Sequence, residues 1–328
     1  MFVLSAEITI GPEGGEKKKF RRVNSVEIES DMRRLEDVAT IKMPTTARLV
    51  RAGEFISEVE TEKTFKVGDE VVIKLGYDGE LVEEFHGYVR KIRPNTPLEI
   101  ECEDATFLLK RKNLQKAWRS ATLRDILDYV LADTGITLHG EPPGVNFTHF
   151  YLKNVSAAKS LQKLKDEYGL TMYFKSFKKL FVGISSDDDG TAVKYRFGEN
   201  VIDNDLEWTD EKDVRLKVKA VHVRPDNTQV TKEVGDPDGE QRTIFLYDLD
   251  KPSALERRAL EELKKYTFSG YKGSFNGFLR PVVRVGNVAK ITDPNFTERA
   301  GDYLVEKVTV SFGDGGGRRK VTPGLKVN

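Results

Sequence analysis

Apolar and polar side chains alternate through most of residues 1–115, and this period of two predicts β-strands. Strands are expected around Val26 and Ile28 and over Val38 to Met43, where Pro44 stops the second strand. We therefore expect the first third of the chain to be mainly β.

The strongest local signal in this part is a hairpin. Val67 to Leu75 predicts one strand, Tyr77-Asp78-Gly79-Glu80 has turn chemistry, and Phe85 to Ile92 predicts the returning strand. In the strand that follows, Leu98, Ile100 and Cys102 alternate with glutamates. We expect the three apolar residues to face a core, with Cys102 a core thiol, and the glutamates to face water.

The pattern then changes to the three- and four-residue spacing of amphipathic helices. Thr122 and Asp125 form a capping box for a helix that should end at Gly135, and Ser156 is the expected cap of a second helix ending at Gly169. The apolar positions assigned to the buried faces are Leu123, Ile126, Leu127, Val130 and Leu131 in the first helix and Leu161, Leu164 and Tyr168 in the second.

Strands are predicted over 170–174 and 180–184, before a polar break from Ser185 to Gly190. The strand pattern returns over 216–223, 282–291 and 303–312. One helix interrupts it, capped by Ser253 and Glu256, with an apolar face of Leu255, Ala259, Leu260, Leu263 and Tyr266 that should pack against the strands. The Gly313 to Gly317 tract is expected to lead into a short basic tail.

A short pattern repeats after roughly 215 to 218 residues, and it includes Gly87 leading to Val89–Ile92 against Gly301 leading to Val305–Val308. Val67-Gly68-Asp69, followed by apolar residues two and four positions later, resembles Val285-Gly286-Asn287 with the same offsets. This repeat indicates that the first and last regions contain the same hairpin. We therefore predict a mainly β protein with an α+β insert, in which two tube-like β-barrel domains, 1–117 and 191–328, flank an α/β middle domain, 118–190; the second barrel carries one peripheral helix.

Composition and charge disfavour several classes of protein. Lys plus Arg equals Asp plus Glu at 53 each, so the chain lacks the positive excess of a dedicated nucleic-acid binder, and we expect no strong nucleic-acid binding. Cys102 is the only cysteine, which excludes an intrachain disulfide and favours synthesis in the cytoplasm. The N-terminus has no signal-peptide pattern, and no run of 18 apolar residues predicts a membrane span.

Few residues suggest chemistry. His86, His139, His149 and His222 lack metal-ligand spacing, and no nucleophile elbow or phosphate-binding loop occurs, so we predict no catalytic, cofactor-binding or metal-binding residues and no cofactor. The acidic stretches Asp187-Asp188-Asp189 and Asp236 to Glu240 lack calcium-loop spacing and are interpreted as solvated turns. The basic cluster Lys17-Lys18-Lys19 with Arg21-Arg22 is interpreted as a hairpin tip, with a local polyanion or partner contact as the alternative.

The order of three segments resembles the tail or baseplate hub proteins of contractile phages, which include the late control protein D family. The segments are Leu35 to Pro44; Leu152 to Leu161 continuing to Tyr168-Gly169-Leu170 and Leu180 to Gly183; and Gly286-Asn287-Val288, Gly301 to Val308 and Gly313 to Arg319. Each is a weak pattern by itself, and the resemblance depends on their order and spacing over most of the chain.

The resemblance implies a structural hub that adapts a hexameric tail tube to a trimeric spike, as in the hub part of type VI secretion spike proteins. It implies a homotrimer whose partners are the tube protein, the spike protein and other baseplate and LysM-type tail proteins, in a phage tail or related injection particle made in a bacterial cytoplasm. This chain ends without the long β-helical spike of fused relatives, so the spike is expected to be a separate polypeptide. The alternatives are a baseplate-associated cell-wall hydrolase and a carbohydrate- or protein-binding β module.

Overall fold

The computed structural model describes residues 3–51, 54–168, 170–183, 191–223, 229–246, 252–264 and 266–327. The first region contains the strands β1 (Leu4–Gly11), β2 (Lys18–Phe20), β3 (Ser25–Asp31), β4 (Val38–Met43), β5 (Thr46–Arg51) and β6 (Glu54–Glu60), the one-turn helix α1 (Thr61–Thr64), and the strands β7 (Glu70–Tyr77), β8 (Glu80–Arg93) and β9 (Leu98–Glu103).

The middle part of the chain contains α2 (Thr106–Arg111), β10 (Asn113–Ala117), β11 (Ser120–Thr122), α3 (Leu123–Leu131), β12 (Thr137–His139), β13 (Asn146–Thr148), β14 (Tyr151–Ser156), α4 (Ala157–Tyr168), β15 (Thr171–Ser176) and β16 (Lys179–Gly183). Its strands form short two- and three-stranded sheets around the two longer helices.

The last part contains β17 (Ala192–Arg196), β18 (Val201–Asn204), β19 (Glu207–Thr209), β20 (Leu216–Val223), β21 (Gln229–Gly235), β22 (Glu240–Leu246), α5 (Pro252–Lys264), β23 (Gly270–Lys272), β24 (Phe275–Gly277), β25 (Val288–Thr292), β26 (Gly301–Gly313) and β27 (Gly316–Lys326). The prediction of a mainly β protein with a helix-containing middle is confirmed.

One large sheet joins the beginning and the end of the chain. Its strand order is β18-β24-β27-β26-β3-β4-β9-β8-β7-β1-β2, with β25 and β17 attached beside β26. The link between the two β regions is the antiparallel pairing of β3 with β26, in which Ile28 lies opposite Val310. The two β regions therefore share a sheet, while the predicted domain limits remain a prediction.

Three hydrophobic cores accompany this arrangement. The first contains residues from both β regions, including Ile8, Ile41, Phe275 and Val321. The second encloses α3 and α4 and also takes in Leu109 and other residues upstream of position 118. The third lies between α5 and the sheet β21-β20-β22. Among the helices in the described ranges, none is long and apolar enough to cross a membrane.

The repeated segment forms the same backbone turn twice. Gly68 and Gly286 adopt positive φ values of 97° and 87°, a conformation that glycine tolerates without steric cost. The N–H of Gly68 donates to the carbonyl of Val89 at 2.9 Å, and the N–H of Gly286 donates to the carbonyl of Val305 at 3.0 Å. Each turn therefore binds the second strand of its hairpin, β8 or β26, through the same type of hydrogen bond.

Asp69 and Asn287, which follow the two glycines, also form equivalent hydrogen bonds. A side-chain oxygen of Asp69 accepts the N–H of Lys66 at 2.9 Å, and the side-chain oxygen of Asn287 accepts the N–H of Arg284 at 2.8 Å. Asp and Asn are suited to this turn because a short side-chain oxygen can bind a nearby backbone donor. The similarity seen in the sequence thus extends to the hydrogen bonds.

The helices follow the capping signals, with changes at their ends. The capping box of Thr122 and Asp125 is formed on both sides, and Ser156 Oγ accepts the N–H of Lys159 at 3.3 Å. The first helix ends at Leu131, ahead of the predicted Gly135, because Ala132 has a non-helical ψ of 142°, and Asp133 and Gly135 then turn into the left-handed region. Gly169 lies outside the described residues.

The later helix differs from its prediction at its start and on its face. It begins at Pro252, one residue before the predicted cap Ser253, and proline suits a first helical position because it has no N–H to leave unpaired. Leu255 and Ala259 are buried, but Leu260, assigned to the same face, is 43% exposed.

Four strand predictions are corrected. Residues 282–287 are not strand, and Val67 lies outside β7 with 54% of its surface exposed. The glutamates at 101 and 103 are buried beneath Arg90, Arg93 and Lys110, and so do not face open water. The predicted basic tail is strand β27, because the glycine tract turns the chain back onto β26.

The buried helix faces yield a stability prediction. Leu127 and Leu164 are 0% and 1% exposed in the middle core, so replacing either with alanine should lower the free energy of unfolding by about 2 to 5 kcal/mol through lost burial and a cavity. Urea unfolding measures the loss, and Leu260→Ala is the matched control because its side chain is exposed. Losses below about 0.5 kcal/mol at both buried positions would contradict the packing.

Candidate functional site: a polar junction of three regions

A cavity of about 210 Å³ lies where the beginning, middle and end of the chain meet. Its walls come from β3 and β8, from the turn between β15 and β16, and from the segment before β25 together with β26 and β27. Its charged side chains include Asp37, Asp104, Glu84, Arg284 and Arg319. This junction is the candidate functional site because it determines how the regions are held together.

A buried ion pair joins β27 to β8 at this junction. Nη2 of Arg319 lies 2.6 Å from Oε1 of Glu84, and their side chains are 1% and 2% exposed. The guanidinium also donates to the carbonyl oxygens of Leu279, at 3.0 and 3.2 Å, and of Val283, at 3.2 Å. Since both charges have lost their water, each depends on its partner and on these carbonyls. The pair therefore fixes the loop before β25 against β8.

Two carboxyl groups, Asp37 and Asp104, lie together in the wall of the cavity. Asp37 accepts a hydrogen bond from Ser30 Oγ at 2.8 Å, and its N–H donates to Oδ2 of Asp104 at 3.0 Å. Asp104 also accepts the N–H of Thr106 at 2.8 Å, at the start of α2. Burial raises the pKa of Asp37 to about 7, and burial together with the nearby Asp37 charge raises the pKa of Asp104.

The middle region is clamped to the first region through His86. Its ring stacks on Phe177 with centroids 3.5 Å apart, and its Nε2 lies 2.6 Å from Oε1 of Glu70. Lys17 pairs with the other carboxylate oxygen of Glu70 at 2.7 Å. One carboxylate therefore binds both a residue of the clamp and a member of the basic cluster.

A second contact completes this clamp. Lys178, in the left-handed conformation at φ 59°, places its Nζ 2.7 Å from Oε1 of Glu13. The hydroxyl of Tyr88 donates to Oε2 of the same carboxylate at 3.1 Å, and burial raises the pKa of Tyr88 to about 12. The phenol therefore remains a hydrogen-bond donor at neutral pH.

Lys165 connects helix α4 to the loop after β3. Its ammonium donates to the carbonyl oxygens of Met32 at 2.6 Å, Arg34 at 2.9 Å and Met172 at 3.1 Å. Burial lowers the pKa of Lys165 to about 8. Three carbonyls satisfy its three donors, so its role is to hold the two elements together.

The residues singled out for possible chemistry are dispersed. His222 is 3% exposed with Nδ1 2.9 Å from the carbonyl oxygen of Leu246, whereas His149 is exposed and far from it in the chain. Cys102 is a buried core thiol, as predicted, and burial raises the pKa of its thiol. Within the described ranges, no group of three His, Cys, Asp or Glu side chains is arranged to hold a metal ion.

The charged stretches behave as turns and paired surfaces where they are described. Asp236 lies in a turn and accepts from Arg215 Nε at 2.7 Å. In the basic cluster, Lys18 and Lys19 lie in strand β2 and not at the predicted hairpin tip. Lys19 and Arg21 pair with Glu7 at 3.0 and 3.7 Å, so with the Lys17 contact three of the five cations have an acidic partner. The Asp187 to Asp189 stretch lies outside the described residues.

Sequence reasoning missed the residues that organise the junction. The local pattern predicts that Arg319 belongs to a short basic tail, and nothing in the sequence separates Lys165 from the other lysines of its amphipathic helix. Asp37 belongs to a segment that carried the family resemblance, which is the single signal that could have drawn attention to it. Asp104 lies 67 positions from its partner Asp37, and Glu84 lies 235 positions from its partner Arg319. Local sequence patterns therefore do not reveal these pairs.

The buried carboxyl yields a pH prediction. Because the pKa of Asp37 rises from 3.8 to about 7 on folding, its protonated form stabilises the fold below about pH 4, and this contribution is lost as the pH rises through about 7. Asp37→Asn, which cannot ionise, should therefore raise the free energy of unfolding at pH 8 by about 1 to 3 kcal/mol and have less effect at pH 4.

Urea unfolding at both pH values measures the effect of Asp37→Asn. Asp314→Asn is the matched control, since Asp314 is exposed in the turn between β26 and β27. The same pH dependence in wild type and Asp37→Asn would show that Asp37 is ionised without cost.

The whole chain is similar in structure to phage tail proteins. The 43 kDa tail protein of prophage MuSo2 from Shewanella oneidensis matches with a TM-score of 0.68 and 16% identity, covering 98% of each chain. A tail protein of Neisseria meningitidis MC58 matches with a TM-score of 0.68 and 14% identity, covering 97% of this chain and 96% of that one. Since the identities are low, these similarities establish the fold.

A secretion protein shares the fold as well. A component of the type VI secretion system of E. coli, described as structurally similar to T4 bacteriophage tail proteins, matches with a TM-score of 0.58 and 10% identity, covering 93% of this chain and 74% of that one. The predicted resemblance to phage tail and secretion hub proteins is thus confirmed at the level of the fold.

Sequence comparison adds a family assignment. No curated protein matches the chain. A family model described as the Alg8 N-terminal domain matches residues 4–242, which is more than half of the chain. The chain, whose fold resembles that of phage tail proteins, therefore belongs to the family described as the Alg8 N-terminal domain.

Proposed function

We propose that the chain is a non-catalytic structural hub in the baseplate of a phage tail or a related contractile injection machine, where it adapts a hexameric tail tube to a trimeric spike. The observation that carries this proposal is the repeated turn at Gly68 and Gly286, with matching hydrogen bonds to Val89 and Val305. A chain with two equivalent tube-like units supplies six of them when three copies surround one axis. Six units match a hexameric tube, and three chains match a trimeric spike.

The edges of the large sheet support assembly into a ring. Among the described strands, β2 and β18 end the strand order; the outer side of β2 has no neighbour in the sheet, and that of β18 has a single bridge, from Val201 to Phe197. Ile202, in β18, falls at a register shift opposite β24 and is 40% exposed. Pairing of such edges with the next copy would satisfy backbone groups and cover this apolar side chain.

The proposed partners follow from this role. The tube protein would contact one end of the ring and the spike protein the other, with other baseplate and LysM-type tail proteins around it. The E. coli secretion component with the same fold is described as similar to T4 tail proteins, which favours the same kind of assembly. The proposed location is the virion tail or injection particle, after synthesis in the host cytoplasm.

The polar junction supports a structural role over a catalytic one. Arg319, Glu84 and Lys165 direct their charged groups to each other or to backbone carbonyls within the protein. Asp104 accepts two backbone N–H groups, as a carboxyl that organises a turn does. Incubation of the pure protein with cell walls tests the remaining enzyme class, since sustained release of soluble fragments would contradict the proposal.

The trimer yields an assembly prediction. Native mass spectrometry of the chain mixed with its spike protein should detect three copies of the chain per spike, whether or not the free chain is monomeric. Ile202→Lys should abolish this species, because a charge on the β18 edge opposes strand pairing. Phe296→Lys is the matched control, since Phe296 is 44% exposed and lies outside the strands.

The trimer prediction has two contradicting outcomes. A complex with another number of copies would contradict the ring. Assembly that is equally sensitive to Ile202→Lys and Phe296→Lys would contradict the assignment of the β18 edge to the contact.

The paired surface charges yield a prediction about DNA. Because the formal net charge is zero and Glu7 and Glu70 pair with three of the five cations near Lys17, duplex DNA should bind more weakly than about 1 µM at physiological salt. Fluorescence anisotropy with a labelled duplex measures this. Glu7→Gln with Glu70→Gln is the informative variant, because freeing the cluster should strengthen binding. Sub-micromolar binding by the wild type would contradict the prediction.

A further inference from the structure

The antiparallel ribbon of β10 and β14 presents one face to solvent. Gln115 lies opposite Lys153 and Ala117 opposite Tyr151. The ribbon continues past the strands, since the N–H of His149 donates to the carbonyl of Arg119 at 2.9 Å. Directly opposed residues point to the same face of a sheet, so three opposed pairs share this face. We call it the ribbon face: Gln115, Ala117, Arg119, His149, Tyr151 and Lys153, all of them exposed.

The opposite face of the ribbon is anchored in the core of the middle unit. Leu152 is 5% exposed, and Trp118 packs edge-on against Tyr129 with centroids 5.3 Å apart. Lys116 places its Nζ 4.8 Å from the Trp118 ring centroid and 4.5 Å from that of Tyr129. Packing of the opposite face therefore fixes the conformation of the ribbon, so a partner bound to the ribbon face would meet a preorganised surface.

The ribbon face carries positive charge that the described part of the chain does not neutralise. Arg119 and Lys153 form no ion pair within the described residues. Residues 105–124 contain six Lys or Arg and no Asp or Glu, in a chain whose net charge is zero. The nearest following acid, Asp125, is engaged by Thr122 in the capping box. By contrast, three of the five cations in the cluster near Lys17 are paired with acids.

The spacing on this face fits an extended peptide. Lys153 lies opposite Gln115, which is four positions from Arg119. At the rise of a β-strand this places the cations of Lys153 and Arg119 about 13 Å apart along the ribbon. Tyr151, 66% exposed, lies between them. An extended peptide with carboxylates four residues apart and an apolar side chain between them would meet both cations and the ring.

We propose that the ribbon face is a docking surface for an acidic segment of a partner protein. Tyrosine and arginine are the residue types that contribute most at protein interfaces. A single-stranded nucleic acid would need a series of exposed rings for stacking, and this face offers two, Tyr151 and the smaller ring of His149. The surface is separate from the sheet edges at β2 and β18, so it would remain if the trimer did not form.

The test uses a fluorescein-labelled peptide of three Glu-Ser-Phe-Ser repeats closed by a final Glu, with Lys replacing Glu in a second peptide. Fluorescence anisotropy at low ionic strength should show binding of the acidic peptide and not of the basic one. Arg119→Glu with Lys153→Glu should raise the Kd at least about tenfold, and Tyr151→Ala should raise it severalfold. The control Lys66→Glu with Lys91→Glu, both exposed, should change the Kd less than about twofold.

Thermal unfolding of each variant confirms that it is folded, as expected for exposed positions. Absence of acidic-peptide binding by the wild type, or an equal loss in the control variant, would overturn the proposal. Tighter binding of an oligothymidine of equal charge, lost in Arg119→Glu with Lys153→Glu, would also overturn it and identify nucleic acid as the occupant.

Discussion

Strand β26 binds β27 along one edge and both β25 and β3 along the other, and this arrangement joins the two ends of the chain. The pairing with β3 brings residues more than 270 positions apart into one sheet, with Ile28 and Val310 buried opposite each other. The first core then includes side chains from both β regions. The cavity, the buried ion pair and the clamp on the middle unit all surround this pairing, so each depends on it.

The long-range character of this pairing explains why charges are buried beside it. Closing a loop of this length costs conformational entropy. The pairing of β3 with β26 offsets this cost only when both regions bury their apolar faces against each other. A buried pair such as Arg319 with Glu84 adds little net stability over an apolar substitute, but loss of one partner costs about 3 to 5 kcal/mol. The pair therefore favours the observed placement of β27 against β8 over alternatives that would leave a charge unpaired.

Local features could be predicted from the sequence, and long-range partners could not. Three features depend on residues only a few positions apart, and the local sequence pattern therefore predicts them: the capping box at Thr122, the cap at Ser156 and the core position of Cys102. Glu103 shares the alternation of β9 but is covered by Lys110, which arrives from α2, and so its burial has no local signal. The Gly313 to Gly317 tract predicts a short basic tail, because nothing near it in the sequence indicates that β27 pairs with β26. The site residues Asp37, Lys165 and Arg319 were missed for the same reason.

The same limit applies to charge. The cluster at Lys17 and the segment around Arg119 are both runs of basic residues, and composition treats them alike. Folding separates them, because β1 and β7 bring Glu7 and Glu70 to the first run, while no strand or helix of the described chain brings an acid to Arg119. A net charge of zero is thus a sum over surfaces of different local charge, in which positive surfaces such as the ribbon face are balanced by negative charge elsewhere on the chain. Since partners respond to the local charge of a surface within about 8 to 10 Å, the residue that each cation pairs with determines which surface can bind an acidic segment.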